Sequence, residues 1–193
     1  CNNTNALTTL KYLDLASNMT HIHPHAFIGC NNLQTLDLSY NLFLTLDNSF
    51  LFTPALNKLK MNDCNITNIP DNTFECTPLL SQIDFSYNTG LNKLSSLFPL
   101  KHLQYIDVSY TSLLCNCELY QVWLWMQQHH VHYDTVSYNN DNKSYCRNRS
   151  IDTVFANMDC NNTQVQTSVR KNNTNIRDDF EFFKLYIEPL VLR

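Results

Sequence analysis

Four of the chain's eight cysteines, Cys115, Cys117, Cys146 and Cys160, gather towards its C-terminal end, while Cys1, Cys30, Cys64 and Cys76 are scattered before them. Thiolates with histidines nearby are zinc ligands, so the cluster has to be weighed as a metal centre. Histidines form two groups. His21, His23 and His25 alternate around Ile22 and Pro24, and His129, His130 and His132 close a helical-looking run. Two observations oppose a metal. Cys115-Asn116-Cys117 is tighter than the usual zinc spacing, and Asn-x-Ser/Thr sequons at Asn2, Asn18, Asn65, Asn142, Asn148, Asn161 and Asn172 point to the secretory pathway. In that compartment clustered cysteines are oxidised, so a disulfide-stapled module is expected and no metal. The simplest reading of the histidines is solvent-facing residues, with a pH switch near pH 6.5 as the functional alternative.

Catalysis finds no foothold. Gly29 and Gly90 are the only glycines, against an average usage of roughly 7 %. A phosphate-binding loop, a dinucleotide fingerprint and a nucleophile elbow each need closely spaced glycines, so those enzyme classes are excluded. Ser, His and Asp are plentiful without any arrangement above chance, and no cofactor is expected. The net charge of −4 lacks the basic footprint of a nucleic-acid binder. No apolar stretch approaches the length of a membrane-spanning helix. The chain opens at Cys1 inside what looks like a repeat, so it reads as a fragment whose missing N-terminal part would carry the signal peptide.

The elements that position these residues come from a repeat. Leu10, Leu33, Leu56, Leu80 and Leu103 recur at intervals that are equal but for a single extra position between Leu56 and Leu80. Each opens the same phrase: Leu10-x-x-Leu13-x-Leu15-x-x-Asn18, then Leu33-x-x-Leu36-x-Leu38-x-x-Asn41. The later copies put Cys64, Asn88 and Thr111 at the last position. A second thread, Phe27, Phe50, Phe74 and Phe98, runs through the same copies. Apolar alternation makes a short strand with one buried face, and the Asn after it can bond the turn in repeat after repeat. Stacked copies form a parallel sheet on the concave side, with the Phe thread filling the space behind it.

Over residues 7 to about 114 this phrase closely resembles the leucine-rich-repeat family. The resemblance implies an α/β solenoid: a horseshoe fragment with a short parallel concave sheet, closed by a disulfide-bonded helical module. The repeats are assigned to residues 1–114, a cysteine-rich cap to 115–160, and a tail without recognisable pattern to 161–193. In the cap, Leu119, Val122, Trp123 and Met126 have helical spacing over Leu119 to about His130 and would cover the exposed end of the last repeat. Cys115-Asn116-Cys117, then Leu119-x-x-Val122-x-x-Trp125 and the two later cysteines, is similar to the C-terminal flanking module of extracellular leucine-rich repeats. That resemblance implies the pairs Cys115–Cys146 and Cys117–Cys160. Cys64 is read as a buried thiol. Cys30 and Cys76, roughly 10 Å apart at two repeats' separation, lie beyond disulfide reach. Cys1 has no evident partner.

Binding would fall to the variable positions flanking the buried leucines. These are Tyr12 and Asp14; Thr35, Asp37, Ser39 and Tyr40; Lys58 and Lys60; Gln82, Asp84, Ser86 and Tyr87; and Tyr105, Asp107, Ser109 and Tyr110. Stacking the copies puts Asp14, Asp37, Lys60, Asp84 and Asp107 in one column, and Tyr40, Tyr87 and Tyr110 in another. Two readings stand: repeat consensus without a role, or an acidic strip with tyrosine anchors suited to a basic or mixed-charge protein.

Cys115-Asn116-Cys117-Glu118-Leu119 with Trp123 and Trp125, after repeats of nearly constant length, resembles the membrane-proximal ectodomain of Toll-like receptors. The resemblance implies an extracellular location, glycosylation at sequons such as Asn2, Asn65, Asn142, Asn148, Asn161 and Asn172, and recognition of a protein ligand or co-receptor in innate immunity. It also implies pairing with a second copy, and membrane attachment only through segments outside this chain. A cell-adhesion or guidance protein of Slit or neuronal type, or a secreted leucine-rich-repeat protein, is the alternative.

Overall fold

A three-residue strand with its middle side chain turned inward is the unit from which the structure is built. In this computed structural model the described residues are 7–17, 19, 22–23, 26–42, 46, 51–135, 151–156, 158 and 160. The five repeats supply β1 (Tyr12–Asp14), β2 (Thr35–Asp37), β3 (Lys58–Lys60), β4 (Gln82–Asp84) and β5 (Tyr105–Asp107). All pair in parallel in chain order, and Leu36, Leu59, Ile83 and Ile106 are buried at the centres. The leucines that open the phrase, Leu33, Leu56, Leu80 and Leu103, pack behind them with Leu38, Met61, Phe85 and Val108.

The sheet has a sixth strand. β6 (His132–Asp134) pairs in parallel with β5, Tyr105 opposite His132 and Asp107 opposite Asp134. It is stitched on by Val108 N–H to Asp134 O at 3.0 Å and His132 N–H to Gln104 O at 2.8 Å. Concave sheet and terminal module therefore overlap beyond residue 114. Asp134 follows Asp107 at a wider interval than separates any two neighbouring copies before it, and no leucine phrase precedes it.

After each strand the chain turns with its backbone polar groups facing inward, where an unbonded group is costly. Asn88 is fully buried; its amide donates to the carbonyls of Met61 and Phe85, both at 2.8 Å. Its oxygen accepts from the N–H of Cys64 at 3.1 Å and of Ile66 at 2.9 Å. Asn41 repeats the pattern, donating to Leu15 O and Leu38 O and accepting from Met19 N–H. Thr111 reaches its own turn with a hydroxyl that donates to Val108 O at 2.8 Å. Asn18, the first position of the ladder, lies outside the described residues.

The Phe thread is interrupted. Phe27 and Phe74 are buried, and Phe74 packs against Phe85 with ring centroids 6.4 Å apart. Phe98 is 42 % exposed, contrary to expectation. A 3-10 turn at Ser95–Leu97 puts Leu97 in the inner position, and Phe98 meets Trp125 edge-on at 6.0 Å instead. Phe50 lies outside the described residues.

The module after β5 begins with α1 (Cys117–Gln128), capped by Asn116, whose side-chain oxygen accepts from Leu119 N–H at 3.0 Å. Leu119, Val122 and Met126 are its buried stripe and face the Ser95–Leu97 turn, covering the end of the last repeat. A short helix, α2 (Ile151–Phe155), buries Ile151 and Phe155. Phe155 packs against Tyr120 and Trp123 at 5.6 and 5.7 Å. These elements belong to a unit spanning residues 1–158; of a second unit, 159–193, only Cys160 is described.

Asn88 ties two repeats together through buried bonds. Asn88→Ala should therefore lower the unfolding free energy by about 3 kcal/mol or more. Denaturant titration followed by Trp123 and Trp125 fluorescence measures the loss. A loss of about 1 kcal/mol or less would contradict this account of the ladder.

Candidate functional site

The register turns two sequence positions per repeat into two straight rows on the outer face of the sheet. One runs Tyr12, Thr35, Lys58, Gln82, Tyr105, His132; the other runs Asp14, Asp37, Lys60, Asp84, Asp107, Asp134. The acidic column expected from the repeat phase is present. The structure lengthens it by Asp134 and adds His132 beside Tyr105.

The carboxylates do local work first. One oxygen of Asp84 accepts from Ser86 N–H at 3.0 Å and from its hydroxyl at 2.6 Å. Asp37 does the same with Ser39, Asp107 accepts from Ser109 N–H at 2.8 Å, and Asp14 accepts from Ala16 N–H at 2.9 Å. These are Asx turns, in which a side chain replaces the backbone acceptor two residues back. They draw Ser39, Ser86 and Ser109 inward, and all three are buried together with Asp37. Those four of the sixteen expected contact residues thus serve the turn. The remaining twelve, Tyr12, Asp14, Thr35, Tyr40, Lys58, Lys60, Gln82, Asp84, Tyr87, Tyr105, Asp107 and Tyr110, are at least partly open.

Lys60 interrupts the column and neutralises one neighbour, its ammonium lying 2.9 Å from Asp37. Burial works against the charge on Asp37, but hydrogen bonds from Ser39 and Lys60 outweigh it and hold the carboxyl below its ordinary range. The bond to Asp37 in turn raises Lys60. At the far end Tyr105 donates to Asp134 at 2.6 Å, and that bond, with burial, pushes its hydroxyl well above the usual phenol value.

The tyrosine column stands at the C-terminal rim of the strands. Tyr40, Tyr87 and Tyr110 have φ of 61°, 61° and 58°, and Asp63 takes the same place in the third repeat with φ 53°. Left-handed backbone is unusual for a bulky side chain, and here it turns the rings out over the rim. Tyr87 and Tyr110 stack with centroids 4.4 Å apart and planes 21° apart. Tyr40 is separated from them by Asp63.

Cys64 fills the third rung of the ladder as a buried thiol, donating to Leu38 O at 3.1 Å and Asn62 O at 3.4 Å. Burial pushes it up to about 11. Cys115, Cys117 and Cys160 are all disulfide-bonded, which removes their sulfurs from the zinc reading. Cys30 is oxidised too, which its spacing gave no reason to expect. Cys1 and Cys146 lie outside the described residues. His23, His129, His130 and His132 are exposed, while His21 and His25 are not among the described residues. Among the described residues no group of three or more His, Cys, Asp or Glu is arranged to hold a metal ion, and no helix is long and apolar enough to cross a membrane. Of the sequons, Asn65 is exposed; Asn2, Asn18, Asn142, Asn148, Asn161 and Asn172 lie outside the described residues.

The model of the BspA type leucine-rich-repeat region matches residues 2–119 in six copies. The chain belongs to the leucine-rich-repeat family. Toll-like receptor 4 of Boselaphus tragocamelus is 31 % identical over 112 residues, 55 % of this chain and 10 % of that protein. Transforming growth factor beta activator LRRC33 of Danio rerio is 31 % identical over 122 residues, 56 % of this chain and 18 % of that one. NT-3 growth factor receptor of Mus musculus is 24 % identical over 135 residues, 70 % of this chain and 15 % of that one. Among solved structures, internalin C2 of Listeria monocytogenes superposes with a TM-score of 0.54 at 15 % identity over 70 % of this chain and 56 % of that one. Toll-like receptor TLR13, solved with ssRNA13, gives 0.51 at 24 % identity over 64 % of this chain and 17 % of that one. The structural likenesses carry the fold alone. This leucine-rich-repeat chain spans under a fifth of each of these curated relatives; it is a recognition module related to Toll-like and other receptors.

Two chemical measurements follow from the cysteines. Native Cys64 should resist alkylation at pH 8 and react in denaturant. Because its folded-state value is raised from 9.0 to about 11, its protonated form favours the fold below pH 9, and stability should fall as pH rises from about 9 to about 11. Fast native alkylation at pH 8 would contradict the buried rung. Peptide mapping without reductant should return Cys115 linked to Cys146 and Cys117 to Cys160, the pairing implied for the flanking module; any other partner for Cys117 would contradict it.

Proposed function

We propose that this chain is the terminal part of an extracellular, glycosylated receptor ectodomain of Toll-like type, recognising a protein ligand or co-receptor in innate immunity and pairing with a second copy. Residues 1–114 are its repeats and 115–160 its cap, which also lends the last strand. The observation that supports this reading best is the sheet's outer face. Six strands carry two aligned rows of polar and aromatic side chains, partly open except for Asp37 and rimmed by the stacked Tyr87–Tyr110 pair. Such a face offers broad contact and hydrogen bonding, which suits protein recognition. The oxidised cysteines and exposed Asn65 agree with an extracellular site. The chain's net charge of −4 supports a protein partner over a nucleic acid.

A growth-factor-binding or neuronal adhesion module is the second reading. It is favoured by one observation: the likeness to the NT-3 growth factor receptor covers 70 % of this chain, against 55 % for Toll-like receptor 4. The full chain, secreted from animal cells, should carry an enzyme-removable glycan at Asn65. It should also bind one member of a panel of purified innate-immune ligands and receptor ectodomains in preference to growth factors. Combined Lys58→Ala and Tyr87→Ala should weaken that binding at least tenfold. Selective binding to a growth factor would favour the second reading, and binding untouched by the double change would move recognition off this face.

A further inference from the structure

The acidic rows on either side of β3 are not equivalent. On the β1–β2 side Asp37 is buried and neutralised by Lys60. On the other side Asp84, Asp107 and Asp134 lie opposite one another on three adjacent strands, and none is ion-paired among the described residues. Each has one oxygen engaged, by Ser86, Ser109 or Tyr105 respectively. The second oxygen of each accepts no hydrogen bond from a described residue. At about 4.8 Å per strand the three form a file of negative charge roughly 10 Å long. Tyr87 and Tyr110 border that file with a stacked aromatic face.

We propose that the outer face of β4–β6 docks an arginine-bearing segment of a partner protein, guanidinium groups bridging the carboxylate file and lying on the Tyr87–Tyr110 rim. This deepens the reading of the sheet as a recognition face and rests on it. Charge complementarity selects a cation, and the geometry selects arginine over lysine. A guanidinium has a planar fork that meets a carboxylate oxygen and still stacks on a phenol ring, whereas an ammonium is a compact, strongly hydrated charge. The file needs no rearrangement to bind, because the Asx turns and the Tyr105 bond already hold the carboxylates by their other oxygens.

Fluorescein-labelled nona-arginine and nona-lysine, titrated into the full chain by anisotropy, serve as probes. Nona-arginine should bind more tightly than nona-lysine, and the difference should vanish in Tyr87→Ala/Tyr110→Ala. Asp84→Asn/Asp107→Asn/Asp134→Asn should weaken nona-arginine at least tenfold; Asn keeps an oxygen acceptor for each turn or tyrosine bond, so the fold is preserved. Asp14→Asn, at the opposite edge, should change little. Lys60→Ala, which removes the cation next to Asp84 in the row, should tighten binding severalfold. Undiminished binding to the triple variant, or an equal loss in Asp14→Asn, would overturn the proposal and leave only attraction to net charge. A panel partner that binds the triple variant normally would overturn this inference while sparing the receptor reading. Absence of any panel partner, with the probe series as expected, would sink that reading and leave this surface standing.

Discussion

Everything on the sheet's outer face depends on how one turn is satisfied inside. A strand of three residues makes too few hydrogen bonds to hold its register alone, and the chain must then turn with its carbonyls and N–H groups away from water. Asn88 resolves this by reaching in two directions. It closes its own turn through Phe85 O and ties the previous repeat through Met61 O and the N–H groups of Cys64 and Ile66. Each such bond fixes the offset between neighbours as well as lowering the energy. Rows of surface side chains line up because their buried counterparts do. Cys64 has only a weak donor for the same task, so the third repeat leans on Asn88 from the fourth.

The surface uses the same device in acidic form. A carboxylate that accepts from the N–H two residues on stabilises the strand's exit and leaves its second oxygen facing outward. Fold and the proposed recognition would draw on one residue without conflict, because they use different atoms of it. Side chains such as Ser39, Ser86 and Ser109 are committed to the turn, which is why half-open positions like Gln82, Tyr105 and Tyr87 make up the available face. The left-handed backbone at Tyr40, Tyr87 and Tyr110 belongs to the same turn. Its cost, about 1 kcal/mol or more per residue, persists only because the ladder and the Asx bond fix the residues on either side.

Much of this was legible in the residues. The nearly constant repeat phase dictates a parallel stack and the two surface columns, since equal spacing puts equal positions side by side. The helical spacing of Leu119, Val122 and Met126 announces a helix where one is found, though not its cap at Asn116. What stayed hidden has a common cause: it depends on atoms or on breaks in phase. Residue type cannot say which oxygen of Asp84 is engaged, nor that Ser86 is drawn inward. β6 escaped because its strand arrives out of period, and Leu97 took the place of Phe98 because a local 3-10 turn shifted the phase by one position. The oxidation of Cys30 has no signal in its spacing.

The terminal module matters for more than closure. A lid need only bury the apolar end of the last repeat, which Leu119, Val122 and Met126 accomplish. Here the chain leaves α1 and returns to the sheet, so β6 extends both surface rows by one strand. Its placement is braced from behind. Asp152 of α2 accepts from Trp123 Nε1 at 2.9 Å and from the Tyr133 hydroxyl, and burial with that carboxylate pushes Tyr133 up to about 12. Tyr133 is the central residue of β6, so a bond on the inner side of the strand fixes Asp134 on the outer side, where Tyr105 meets it. The cap is thereby coupled to the chemistry of the proposed recognition face: the helices that seal the solenoid also hold its last carboxylate in line.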